Sequence, residues 1–177
     1  MTVLLPETLT KSAKTITLSK GKHLFLKGEE PENLFYLVSG NIRLSRCSES
    51  GQDCTLQQIQ QGFLAEASLF SQQGYHCDAF AKETSELLAI PLTHFRHCLQ
   101  DPDFNRYWMM TLSSEIRRLR NQVERLSLNT AEARVKHYLQ SEGDPPKQKK
   151  QWAKLLGLSH EALYRCLARM EKQTEAT

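Results

Sequence analysis

Six apolar side chains, Met109, Leu112, Ile116, Leu119, Val123 and Leu126, recur at spacings of 3, 4, 3, 4 and 3. That rhythm is the a/d stripe of a helix, and it commits the chain to one long helix starting at Pro102. Arg and Glu residues flank the stripe. So narrow a stripe allows two readings: a helix laid on the protein's own β region, or a parallel two-stranded contact between subunits. Both ends of the helix are expected to leave the β region, which favours the second. These six residues are therefore the expected homodimer interface. No clear buried polar residue in the seam fixes its register.

Upstream of this helix, to about residue 91, the pattern is β. "TITL" alternates polar and apolar residues, and "HLFLKGEEPENLFYLVSGNIRLSR" has short apolar runs broken by turn residues. Gly40-Asn41, between "LFYLV" and "IRLSR", is a hairpin signal. "SESGQD" is a second turn, followed by "CTLQQIQQG", and "YHCDAFA" and "ELLAI" are two more strand candidates. Short strands at close intervals predict a barrel, sandwich or roll. After Pro91, "LTHFRHCLQD" reads as helix with Thr93 as N-cap. The fold class is thus α+β. Residues 1–100 are expected to form a β-roll, 101–129 a dimerisation helix, and 130–177 a small helical domain.

A length of 177 residues allows one medium domain or two small ones. Apolar content of 40% and charged content of 24% are those of a globular protein. There is no run of 18 apolar residues, so no membrane span is expected. "MTVLLPETLTKSAK" lacks the layout of a secretory signal, so a cytoplasmic location is expected. Five cysteines without a CxxC pair do not support a zinc knuckle or a thioredoxin-like motif. No nucleophile–base pair and no phosphate loop stands out, so an enzyme is not expected.

Charge is concentrated at the C-terminal end. Residues 145–177 carry seven basic and three acidic side chains, against a net +3 for the whole chain. An anionic partner, nucleic acid first, or a solvated helix face would explain this. "TAEARVKHYLQSEG" is a helix ended by Gly143, Pro145 and Pro146. In "KQKKQWAKLLGLSHEALYRCLARMEKQ" a helix runs into Gly157, and Ser159 caps the next. Leu155, Leu158, Leu163 and Leu167 are the expected core between them. Two helices joined by a tight Gly turn make a helix-turn-helix, or else an ordinary helical hairpin. If DNA is read, His160, Glu161, Tyr164 and Arg165 face the bases. Glu161 and Arg165, four apart, can also orient each other. Ser159, Lys150 and Arg169 suit phosphates.

The pieces "LFYLVSGNIRL", "GFLAEASLF" and "LLGLSHEALYRCLARME" resemble the CRP/FNR family of bacterial transcription regulators, over nearly the whole chain. The resemblance implies a cyclic-nucleotide-binding-like roll, a homodimer, promoter DNA as partner and frequent contact with RNA polymerase. It also implies that Glu66 matches a Glu that meets the ribose hydroxyl of cyclic AMP, with Ala65 in place of a Gly. His76-Cys77 falls where the family's cyclic-AMP binders have an Arg-Ser/Thr pair for the phosphate. A partly protonated imidazole is a poor substitute for a bidentate guanidinium, so cyclic AMP is not the expected effector. Iron–sulphur members use cysteines near the N-terminus, and here none precedes Cys47, so such a cluster is not expected. Glu161 and Arg165 match the family's base-contacting pair, while His160 stands where some members have Arg. The family continues into a β-hairpin wing; here the sequence stops at "MEKQTEAT", and weaker phosphate contact is expected.

Three constellations compete as a sensor. Glu66, His76 and Cys77 occupy the old nucleotide pocket and could hold a metal or haem, although neighbours on a strand face opposite ways. Cys47 and Cys54 flank "SESGQD", and folding about residues 50 and 51 sets the thiols opposite each other as a candidate redox pair. His94 and Cys98, with His97 nearby, have the i,i+4 spacing of a metal or haem site. Cys166 is expected to be a small buried residue. The competing reading of the whole chain is a haem-, metal- or thiol-sensing module whose helix-turn-helix makes protein contacts.

Overall fold

The computed structural model describes residues 5, 7–48, 51, 53–64, 67–71 and 73–175. The chain forms two compact units, Met1–Leu112 and Ser113–Thr177. The division falls inside one continuous helix, Pro102–Ser127.

The first unit begins with α1 (Glu7–Thr10), followed by β1 (Lys14–Leu18), β2 (His23–Phe25), β3 (Asn33–Ser39), β4 (Ile42–Cys47) and β5 (Asp53–Ile59). Then come β6 (Gly62–Leu64), a 3-10 turn (Ala67–Phe70), β7 (Asp78–Ala81), β8 (Ser85–Pro91), α2 (Leu92–Cys98) and the start of α3 (Pro102–Ser127). The strands form two four-stranded antiparallel sheets, ordered β1-β8-β3-β6 and β2-β7-β4-β5.

"NLFYLVS" explains the layering. Its unbroken apolar run is the pattern of a strand covered on both faces. Phe35 and Leu37 join Phe25, Ile42, Leu44, Ile59, Leu64 and Leu87 in the core formed by residues of both sheets. Leu34 and Tyr36, at the alternate positions, pack in a second core with Leu9 of α1, Leu92, Phe95 and Cys98 of α2, and Phe104 and Trp108 of α3. Edge-to-face rings extend this second core: Phe95 lies 4.8 Å from Trp108, and Phe63 lies 5.3 Å from it.

The Gly40-Asn41 turn exists, but it does not make the expected hairpin. β3 pairs with β6 and β8, and β4 pairs with β5 and β7, so the turn carries the chain from one sheet to the other. Gly40 has φ +105°, and a Cβ there would lie 2.6 Å from the backbone Cα of Ser85. Only glycine allows that close approach. β4 and β5, on either side of "SESGQD", pair antiparallel. Thr93 is not an N-cap: α2 starts at Leu92 after Pro91, with no side-chain cap bond. α3 does start at Pro102, and Asp101 caps it by accepting from the Phe104 N–H at 2.8 Å.

The second unit holds the rest of α3, then α4 (Ala131–Glu142), α5 (Lys149–Leu155) and α6 (His160–Glu175). Thr130 caps α4, accepting from Ala133 N at 3.1 Å. The core is Val135 and Tyr138 of α4, Trp152, Ala153 and Leu156 from α5 and its end, and Leu163 and Cys166 of α6. Of the four leucines expected here, only Leu163 is fully buried; Leu155, Leu158 and Leu167 are half-buried at its margin. The reason is phase. The inward stripe of α5 runs through positions 152, 153 and 156, one step from the leucines that composition singles out.

Candidate nucleic-acid interface and effector pocket

The turn into α6 has a local explanation. Gly157 takes φ +62°, its N–H donates to the Lys154 carbonyl at 3.1 Å, and the Leu158 N–H donates to the Ala153 carbonyl at 2.9 Å. These are the paired bonds of a glycine-terminated helix. Two residues later the Ala162 N–H donates to Ser159 Oγ at 3.1 Å, which caps α6 as its sequence predicts.

Leu163 and Cys166 turn into the core, which leaves His160, Glu161, Tyr164 and Arg165 exposed. The His160 ring meets Tyr164 edge-on at 4.6 Å, and Lys149 Nζ sits 4.8 Å from the Tyr164 ring centre. Lys149 was missed from sequence; a Lys fifteen positions before a Tyr carries no local signal. The expected mutual orientation of Glu161 and Arg165 is not formed: among the described residues neither makes an ion pair or side-chain hydrogen bond. Exposed side chains in water gain little from such a pair. Arg169 does not stand free for a phosphate either. Its Nη2 lies 3.1 Å from Glu132 Oε2 and ties α6 to α4. Lys136, and then Arg169, hold the Glu132 carboxyl below the usual carboxylate range. Lys150 is exposed in the first turn of α5. Cys166 is buried as expected, its thiol pushed up chiefly by burial.

On α3, Met109, Ile116, Leu119, Val123 and Leu126 are 41–66% exposed, while Leu112 is half-buried against the second core. Ile116, Leu119 and Val123, with Arg120 and Glu124, line an apolar hollow of about 380 Å³. An exposed apolar row of this kind marks an association surface.

In the roll, Glu66 lies outside the described residues. His76 and Cys77 precede β7 rather than lie in it. Their stretch is bonded to a loop instead of a ladder: Gly28 N donates to Tyr75 O at 2.8 Å and Tyr75 N to Glu29 O at 2.9 Å. Tyr75 stacks on Phe25 with centroids 3.7 Å apart. Cys77 is fully buried in the roll core and His76 is exposed, so the two do not converge on one ligand. Cys47 and Cys54 are not directly opposite as expected. Cys47 faces Asp53 and Cys54 faces Arg46, because the register shifts by one between Leu44 and Ser45. Both thiols are free and exposed, and they line one hollow of about 360 Å³ with Lys27, Arg46, Ser48 and Leu56. His94 and Cys98 do meet, Nε2 to Sγ at 3.6 Å, while His97 is exposed. Burial, then Asp101, pushes the Cys98 thiol up, which disfavours the thiolate a metal would need. Among the described residues no group of three His, Cys, Asp or Glu side chains is placed to hold a metal ion. None of their helices is long and apolar enough to cross a membrane.

Two four-stranded antiparallel sheets followed by helices make an α+β chain whose first unit is a β-roll. The family model described as "Cyclic nucleotide-binding domain" matches residues 15–101. The cAMP-activated global transcriptional regulator CRP of Pasteurella multocida is 29% identical over 166 residues, covering 82% of this chain and 77% of that one. The global nitrogen regulator of Synechocystis is 28% identical over 134 residues, covering 70% of this chain; the match takes in 56% of that protein's length. The solved structure of the c-di-GMP-responsive global regulator CLP of Xanthomonas campestris shares the fold, with a TM-score of 0.70 at 18% identity, covering 95% of this chain and 91% of that one. Residues 15–101 match the cyclic nucleotide-binding domain, and the chain is similar to proteins named as CRP and as global nitrogen regulators. All three are named as global regulators, and the Pasteurella protein as a transcriptional one.

Proposed function

We propose that this protein is a homodimeric, sequence-specific DNA-binding regulator. α3 joins the two subunits through Met109, Ile116, Leu119, Val123 and Leu126, and the N-terminal turns of α6 read the major groove. The observation that carries this reading is the free face of α6: His160, Glu161, Tyr164 and Arg165 stand exposed on a capped helix whose opposite face is fixed in a core. Arg165 is available for bidentate contact with guanine and Glu161 for cytosine. Lys149 and Lys150, at the start of α5, are placed to follow the phosphates. RNA polymerase is a further partner in this reading.

The effector is not cyclic AMP. In the stretch where the phosphate cation is expected stand an exposed His76 and a core Cys77, neither of which replaces a guanidinium. Titration of promoter DNA by fluorescence anisotropy at several salt concentrations tests the reading. Binding should be salt-dependent and sequence-selective, and Arg165→Ala should weaken it about 10- to 100-fold at the preferred site. Binding that ignores both sequence and Arg165 would favour the alternative of a sensor whose helix-turn-helix contacts protein.

A further inference from the structure

Two arginines bind the end of α3 to the turn that launches α6. Arg134, on α4, donates Nε to the Leu128 carbonyl at 2.8 Å and Nη2 to Leu126 O at 3.2 Å. Its Nη1 donates to Leu156 O and Gly157 O, each at 3.2 Å. One guanidinium therefore serves the C-terminal carbonyls of two helices, α3 and α5. Those carbonyls lack intrahelical partners and carry the negative end of each helix dipole. Arg125, 3% exposed, reinforces the junction: Nε donates to Leu155 O at 3.3 Å, and Nη1 lies 3.6 Å from Glu142. Its guanidinium also sits 5.1 Å from the Tyr138 ring centre. The planar fork matters, because an ammonium is a point donor and cannot span both chain ends at fixed angles. Gly157 lies in the same junction, where an added Cβ would come within 2.8 Å of Leu126 Cδ2.

We propose that Arg134, supported by Arg125, is a positioning residue for DNA reading: it fixes α6 to the dimer helix and so sets the separation of the two reading helices. This rests on the dimeric DNA-reading function proposed above. Arg134 touches no DNA in this scheme. A two-fold protein reads half-sites at a fixed spacing only if its reading helices are held at a fixed distance. The clasp supplies that constraint from backbone carbonyls within residues 126–157.

The test uses the full chain and an operator selected by the wild-type protein from random DNA. Affinities are measured for the selected spacing, for spacers changed by about two base pairs, and for an isolated half-site. The wild type should discriminate between spacings. Arg134→Ala should lose about tenfold or more of that discrimination, with half-site affinity held within about threefold. Arg134→Lys, which keeps the charge, should not restore it. In a Cys47→Ser, Cys54→Ser background, a spin label at Glu171→Cys reports the distance between the two subunits' α6 helices without DNA. That distribution should be narrow with Arg134 and broad with Arg134→Ala or Arg134→Lys, at unchanged helicity. If Arg134→Ala keeps both the spacing preference and the narrow distribution, the clasp has no positioning role. If Arg134→Ala and Arg134→Lys lower half-site and full-site affinity equally, with a narrow label distance, the role is structural and the proposal fails. A wild type that selects no DNA overturns the DNA-reading function, and this inference with it.

Discussion

Val123→Glu is the sharpest perturbation of the proposed dimer. Val123 is 66% exposed, and its four exposed companions on the row, Met109, Ile116, Leu119 and Leu126, are 41–57% exposed. Burying a whole side chain of this size stabilises by about 1.5–3 kcal/mol, so the exposed half is worth about 0.8–1.5 kcal/mol. Ten such side chains in a dimer give roughly 8–15 kcal/mol, against an association cost of about 4–15 kcal/mol. The net is a few kcal/mol, so one position can tip it. Losing Val123 from both subunits removes about 2–3 kcal/mol, and two facing carboxylates add repulsion and desolvation. The dimer Kd should rise at least about 100-fold. Sedimentation velocity over a concentration series measures this, with circular dichroism to show that α3 remains helical. Ser114→Glu, an exposed change off the row, is the control and should leave Kd unchanged. A wild type that is monomeric at every concentration, or a Val123→Glu dimer as tight as wild type, would refute the reasoning.

Gly40→Ala should destabilise the first unit by about 3 kcal/mol or more, read by urea unfolding, because backbone of Ser85 blocks the new methyl and φ is +105°. Thiol labelling of the native protein should consume Cys47 and Cys54 quickly, while Cys77, Cys98 and Cys166 wait for unfolding; five equally fast thiols would contradict the packing. Glu132, whose carboxyl is held low by Lys136 and Arg169, binds fewer protons folded than unfolded. Its stabilisation is therefore complete above the ordinary carboxylate range and is lost as pH falls below about 4 towards the lowered value. In a Trp108→Phe background, Trp152 fluorescence should show the second unit losing less stability across that window in Glu132→Gln than with Glu132 present.

Local chemistry made much of this fold legible. Gly157 and Ser159 act on their own neighbours, so the turn between α5 and α6 could be read from one short stretch. The 3-4 rhythm of α3 needs only its own helix. What failed depended on distant backbone. Gly40-Asn41 has the same signature whether the chain folds back on itself or crosses to another sheet. A one-residue shift between Leu44 and Ser45 displaced Cys47 from Cys54, and no residue type announces it. The clasp was missed because Arg134 binds four carbonyls, groups every residue carries. A faint signal was there: an arginine near the start of a helix opposes the helix's own dipole and so points to another partner.

The boundary between the two units falls between Leu112 and Ser113, within the unbroken turns of α3. A chimera joined there inherits a phase as well as a sequence. One added residue turns everything after it by about 100°, which takes Ile116, Leu119, Val123 and Leu126 out of line with Met109 and Leu112. An insert of about seven residues brings the row back into line. Fusions that exchange the two units between relatives should therefore work in steps of helical repeat, with silent lengths between them.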